Sequence, residues 1–149
     1  MRYFSLNRQS PDASFREAVI RGIAPDRGLY FPERISKIPA AIIKNIDRLQ
    51  QDELAYEFIK QFVGDEIPEN ELRKLIKDTL SFGFPLVEIE PGVFSLELFH
   101  GPTMAFKDVG GRFMARCLSY FNRENEEEFT VLMATSCDSA GSVAIGFLG

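Results

Sequence analysis

The chain has 149 residues, 45% apolar and 26% charged, enough for one domain with a real core or for two small lobes. Its net charge of −5, with no block of five like charges, argues against a nucleic-acid partner, because a phosphate backbone demands a basic footprint. Two cysteines (Cys117 and Cys137) offer neither a disulfide framework nor zinc-ligand spacing, no apolar run approaches the roughly 18 residues of a membrane span, and the opening MRYFSLNRQS lacks a signal-peptide core. A cytoplasmic location is the expectation.

Residues 2–6 read as a short edge strand. Ser14-Phe15-Arg16-Glu17 then matches a capping box, in which the serine oxygen and the glutamate carboxylate each satisfy a free backbone N–H. Phe15, Ala18, Val19 and Ile23 supply that helix's buried stripe, and Gly22 lies near its end. In APDRGLYFPE, Pro25, Gly28 and Pro32 punctuate a turn and a brief extended piece. Three amphipathic helices are expected next. Ile38, Ile42, Ile43, Ile46 and Leu49 line the first. Leu54, Ala55, Phe58, Ile59 and Phe62 line the second, which Gly64 ends. Leu72, Leu75, Ile76 and Leu80 line the third, with Pro68 in its first turn. These elements make residues 1–84 a small, mostly helical lobe.

Residues 85–149 change character. PLVEIE and VFSLELF flank Pro91-Gly92 and predict a hairpin. From there the pattern reads strand (93–99), helix (108–122) and strand (129–135), the last apolar almost throughout, as a parallel strand covered on both faces would be. A strand, crossover helix and parallel strand form a right-handed unit, and such sheets bind ligands at the carboxyl ends of their strands. The loops 100–107 and 136–141 both leave that edge, which predicts one shared site. The fold class is therefore α/β.

The first loop contains FHGPTMAFKDVGGR, with the only histidine (His100), a Gly-Pro turn and Lys107 at the start of a helix. A helix N-terminus disfavours an ammonium, and the apolar neighbours Met104, Ala105 and Phe106 are expected to desolvate it further. A neutral lysine is a nucleophile toward aldehydes such as pyridoxal phosphate. A solvated lysine lying over Phe106 fits the same residues. In the second loop, TSCDSAGS, the hydroxyls of Thr135, Ser136, Ser139 and Ser142 at a helix N-terminus suit an anion. A plain cap at Ser136, Asp138 or Ser139 fits equally.

HGPTMAFKD resembles the lysine segment of the threonine synthases, pyridoxal 5'-phosphate enzymes of fold type II. APDRGLY, some 80 residues upstream, resembles the same family's Ala-Pro-Asp-Gly-Gly-Leu-Tyr signature, with Arg27 where glycine is usual. TSCDSAGS resembles its Thr-Ser-Gly-Asp-Thr-Gly loop, with Cys137, Ser139 and Ala140 as departures. The resemblance implies that Lys107 is the Schiff-base lysine, that Asp138 helps to bind the cofactor, and that Ser136, Asp138 and Ser139 contact the substrate. The implied reaction converts O-phospho-L-homoserine and water to L-threonine and phosphate, with no nucleic-acid or membrane partner. His100 and Asp108 could orient the lysine segment, and Arg112 and Arg116 could attract the substrate phosphate. A thiol at Cys137 could crowd the substrate pocket. No G-x-G-x-x-G or G-x-x-x-x-G-K motif is present to hold the cofactor phosphate. The expectation is the N-terminal portion of such an enzyme, followed only by the start of its parallel-sheet domain and inactive alone. The alternatives are a threonine-synthase-like phospholyase, another fold-type-II enzyme, or a non-catalytic fragment or interaction domain.

Overall fold

The computed structural model describes residues 1–123, 130–133 and 138–148. The chain divides into two compact units, Met1–Ile76 and Lys77–Gly149.

In the first unit, β1 (Tyr3–Ser5) pairs antiparallel with β2 (Tyr30–Pro32), Phe4 opposite Phe31. Between them lies α1 (Phe15–Arg21), opened by the expected capping box. The Glu17 N–H donates to Ser14 Oγ at 3.1 Å, and the Ser14 N–H donates to Glu17 Oε2 at 2.9 Å. A second carboxylate reaches the same end from the connection between α3 (Gln51–Val63) and α4 (Glu69–Thr79). The N–H groups of Phe15 and Arg16 donate to Glu66 Oε1 and Oε2 at 2.8 and 2.9 Å. The first three N–H groups of α1 are thereby satisfied by side chains, a need that every helix start has.

The third amphipathic stripe packs as expected up to Ile76: Leu72, Leu75 and Ile76 are buried with Val63, Ile67 and Tyr56, whereas Leu80 lies just past the end of α4 and is half-buried. The second stripe is rotated. In α3 the buried residues are Tyr56 and Val63, while Phe58 is exposed, and Gly64 ends the helix at φ +64°. Tyr56 is held there by the Arg73 guanidinium, 3.8 Å from its ring centroid. The first stripe is corrected. It forms only α2 (Ala40–Lys44) and a 3₁₀ turn at Ile46–Arg48, separated by Asn45, whose side chain bonds back to the Ala41 carbonyl at 2.8 Å. Ile43 and Ile46 are exposed, because a helix of five residues presents too little face to bury. Ile23 is exposed as well, since α1 stops at Gly22 (φ +70°) before reaching it.

The turn between α1 and β2 is organised by Asp26. Its carboxylate accepts from Ser5 Oγ (2.6 Å), the Gln9 N–H (2.9 Å) and the Gly28 N–H (3.0 Å). Gly28 is needed here, for a Cβ would overlap Ser5 Oγ and stand 2.9 Å from the Asn7 nitrogen. The Ser5 hydroxyl outweighs partial desolvation and, with the Gly28, Gln9 and Ser10 donors, lowers the Asp26 carboxyl from 3.8 to about 2. Arg27, between these two residues, takes the left-handed conformation at φ +66°.

In the second unit, β3 (Leu86–Glu90) and β4 (Val93–Leu96) form the expected hairpin, turned at Gly92 (φ +77°). Two helices follow, α5 (Asp108–Phe121) and α6 (Asp138–Leu148), packed against each other. The expected parallel strand at 129–135 is corrected within the described residues. Thr130, Val131, Leu132 and Met133 carry no strand, Leu132 is 90% exposed, and the two described sheets are both antiparallel pairs. Residues 129, 134 and 135 lie outside the described residues. A parallel strand needs a hydrogen-bonding neighbour, and none pairs with residues 130–133 among the described residues.

Two outcomes follow for the first unit. Arg27→Gly should raise unfolding free energy by about 0.5–1 kcal/mol in a urea titration, since only glycine takes positive φ without a Cβ penalty. Asp26 titrates lower in the folded chain, so its contribution is present above pH 3.8 and fades as pH falls toward about 2. The fall in unfolding midpoint across that window should be smaller for Asp26→Asn than for the unaltered chain.

Candidate functional site

The segment leading into α5 is a chain of backbone turns. The Met104 N–H donates to the Gly101 carbonyl at 3.0 Å, and the Asp108 N–H donates to the Ala105 carbonyl at 3.1 Å. The Gly111 N–H then donates to the Lys107 carbonyl at 2.9 Å, the first helical bond of α5. Met104 sits at φ +56°, a left-handed conformation at a side chain that gains little burial for it, being 79% exposed.

Asp108, the first residue of α5, is fully buried. Its carboxylate accepts from the Thr103 N–H at 2.9 Å and from the Thr103 hydroxyl. Thr103 Oγ1 lies 3.0 Å from Ser142 Oγ, whose single proton it shares with the Asp138 carbonyl 3.1 Å from that oxygen. Burial works to raise the Asp108 carboxyl, but the Thr103 and Ser142 donors outweigh it and hold it below the usual carboxylate range. Gly101 closes over this acid: a Cβ there would stand 2.8 Å from Asp108 Cβ and 2.9 Å from Phe82 Cζ.

Small residues let α5 and α6 approach closely. A Cβ on Gly111 would stand 2.9 Å from the Ser142 carbonyl oxygen, and one on Gly146 would stand 3.0 Å from the Gly111 carbonyl oxygen and from Ala115 Cβ. The crossing leaves an open cleft of about 370 Å³, lined by Phe106, Lys107, Gly110, Gly111, Ser139, Ser142 and Val143. Lys107 Nζ lies 3.9 Å from Asp138 Oδ2 and 5.5 Å from the Phe106 ring centroid. Lys107, Asp138 and Ser139 are thus brought to one place. Ser136 and Cys137 lie outside the described residues. Ala140 falls inside α6 and is not among the described residues with positive φ, so its Cβ meets no backbone conflict.

The expected desolvation of Lys107 by its apolar neighbours is corrected. Ala105 is buried, but Met104 and Phe106 (63%) face solvent, and the lysine side chain is 38% exposed. His100 turns to Glu97, 2.6 Å away, and stacks on Phe99. Arg112 donates to the Asp78 carbonyl at 2.5 Å and Ser81 Oγ at 2.9 Å, and Arg116 donates to the Gly146 carbonyl at 3.1 Å. Both arginines are engaged in holding the unit together. Cys117 is buried on the inner face of α5, where desolvation pushes its thiol up to about 12. The role of Thr103 escapes a reading of the sequence, and Ser142, expected among the hydroxyls suited to an anion, is instead buried against Thr103 and the Asp138 carbonyl.

A primary amine bordered by glycine backbone and hydroxyls is the donor set that an aldehyde-bearing ligand would meet. Above Gly110 the space is open, with nothing within 4 Å of a would-be Cβ.

Residues 2–80 match the family model described as Threonine synthase N terminus. The threonine synthase of Escherichia coli is 36% identical over 149 residues, covering all of this chain and 34% of that protein. Its crystal structure superposes with a TM-score of 0.91, covering 100% of this chain. The structure of a PLP-bound threonine synthase from Brucella melitensis is 33% identical with a TM-score of 0.91, covering 99% of this chain and 33% of that one. The yeast threonine synthase structure is 34% identical with a TM-score of 0.87, covering 98% and 33%. The chain therefore spans about a third of the length of the relatives it matches.

Gly111→Ala should lower stability by about 1–3 kcal/mol, the usual cost of forcing a methyl into a filled contact. Urea unfolding followed by helical circular dichroism measures it. Gly110→Ala, next to it and open, serves as the control and should raise stability by up to about 1 kcal/mol.

Proposed function

We propose, from the premise that the chain belongs to the threonine synthase N-terminus family, that it carries the cofactor-lysine portion of a threonine synthase. The whole reaction would convert O-phospho-L-homoserine and water to L-threonine and phosphate. The observation that carries this reading is that Lys107 and Ser139 line one cleft, with Asp138 3.9 Å from the lysine amine. Its further support is the contiguous HGPTMAFKD run, together with relatives that are threonine synthases, one of them described as PLP-bound.

In this reading Lys107 supplies the amine that holds the aldehyde carbon of pyridoxal 5'-phosphate and afterwards moves protons at the substrate carbons. When bound, the cofactor supplies the electron sink. Asp138 stands beside that amine as a carboxylate and takes part in cofactor and substrate binding. Ser136 and Ser139 offer hydroxyls to the substrate carboxylate. The amine, the hydroxyls and the open glycine floor fit the aldehyde end of the cofactor. Lys107 is the one cation among the described residues lining the cleft, so in this reading the phosphate is held by residues other than these.

The division of labour extends to the domains. Residues 1–84 act as the helical lobe, and residues 85–149 begin the cofactor-binding domain. The substrate is a small molecule, with neither nucleic acid nor membrane as a partner, and the location is cytoplasmic. Among the described residues no helix is long and apolar enough to cross a membrane.

Mixing the chain with pyridoxal phosphate should produce a visible imine absorbance, and Lys107→Ala should abolish it while leaving far-ultraviolet circular dichroism unchanged. An absorbance of equal strength in Lys107→Ala would place the amine elsewhere and sink the reading.

A further inference from the structure

We propose that Asp108 is a positioning residue for Lys107, and that the Asp108–Thr103–Ser142 hydrogen-bond cluster fixes the lysine's backbone at the cleft. The proposal rests on the reading of Lys107 as the aldehyde-binding amine and adds what holds that amine in place.

The two residues are adjacent in sequence and opposite in environment. Lys107 Nζ faces the cleft and Asp138, whereas the Asp108 carboxylate points inward and is fully buried. No side chain caps α5 at Lys107, so the start of the helix is held instead through Asp108. Its carboxylate is tied to the Thr103 N–H and hydroxyl, and these anchor the turn that begins at Gly101. That turn contains Met104 at φ +56°, a conformation that persists only where its surroundings over-determine it. On the other side, Ser142 joins Thr103 to α6, the helix that carries Asp138 and Ser139. One buried acid thus links the loop before the amine, the helix that begins at it, and the helix bearing its neighbours.

The energetics favour such a role. A carboxylate at a helix N-terminus is stabilised by the helix dipole, and the charge-assisted bonds it accepts are about twice as strong as neutral ones. Cutting one leaves a buried polar group unsatisfied, so the loop must rearrange instead of merely loosening. Misplacing a reacting atom by about 1 Å is enough to cost up to two orders of magnitude in rate.

The test uses the chain as it stands, with pyridoxal phosphate as the probe. Amine and aldehyde condense with loss of one water, and borohydride delivers hydride to the imine carbon, leaving a stable secondary amine. Peptide mass spectrometry then gives the initial labelling rate at Lys107 relative to Lys37, Lys44, Lys60, Lys74 and Lys77 in the same molecule. Asp108→Asn, which presents an NH2 where an acceptor is needed, should lower the Lys107 rate about tenfold relative to the other lysines. Thr103→Val should do the same, and Thr103→Ser, which retains both donors, should restore the rate to within about twofold. A merely structural cluster would alter all lysines together or none.

Preferential labelling of Lys107 that survives both Asp108→Asn and Thr103→Val overturns the positioning role while leaving the lysine reading intact. Absence of any preference for Lys107 in the unaltered chain overturns both. Where Asp108→Asn loses its helical signal, the Thr103→Val and Thr103→Ser pair decides: equal Lys107 rates in the two overturn the proposal.

Discussion

An ionised carboxylate taken out of water costs several kcal/mol unless fixed donors replace its hydration. Asp108 is such a group, and the second unit is arranged around satisfying it. Gly101 must lack a side chain so that its turn can close over the acid, and Thr103 must present both its N–H and its hydroxyl. Ser142 must lie on the facing side of α6, and that is possible only because Gly111 and Gly146 let the helices approach. Each requirement removes a freedom from the segment 101–111, which contains Lys107. The position of the amine is therefore a consequence of where the acid next to it can be solvated.

Local signals in the sequence translated well where the determinants were local. The capping box at Ser14 and Glu17, the glycine ends of α1 and α3, the hairpin at Pro91-Gly92 and the start of α5 all formed as read. Each depends on residues within one turn of each other. Stripes of apolar residues were less faithful. Ile42 and Ile43 have helical spacing, yet a helix of five residues cannot bury them, and α3 turns Tyr56 inward in place of Phe58 because Arg73 of α4 lies over the tyrosine ring. Periodicity specifies a face, but the partner element specifies which part of that face is used. Glu66 capping α1 from fifty residues away has no periodic signature at all.

The site was legible in part for the same reason. Lys107, Asp138 and Ser139 stood out by residue type and by the loops that carry them, and the fold brings them to one cleft. The sequence pattern predicts their meeting at a parallel sheet edge, whereas in the structure α5 and α6 bring them together by direct packing. The apolar run at 130–133 lacks a pairing strand among the described residues, and its alternation-free composition suits a strand covered on both faces. The sequence pattern there describes an environment that the described residues do not provide. The same holds for the desolvation of Lys107, since Met104 and Phe106 are apolar by composition but face water.

The contrast between the two acids flanking this lysine explains how a residue can be fixed and available at once. Asp108 is buried, and its bonds are directed at Thr103 of the loop, which in turn meets Ser142 of α6, so it constrains the backbone. Asp138 is largely exposed and 3.9 Å from the amine, and solvent-exposed pairs of that kind are worth little. Had the strong acid been the one facing the amine, the ammonium would be locked in a buried ion pair and lost as a nucleophile. With Asp108 turned inward, the backbone is anchored while the amine keeps only a weak, exposed electrostatic partner, as the reading proposed for Lys107 requires. In the reading proposed for Lys107, an aldehyde arriving in the cleft would displace only the weaker contact, at an amine whose backbone is anchored through Asp108.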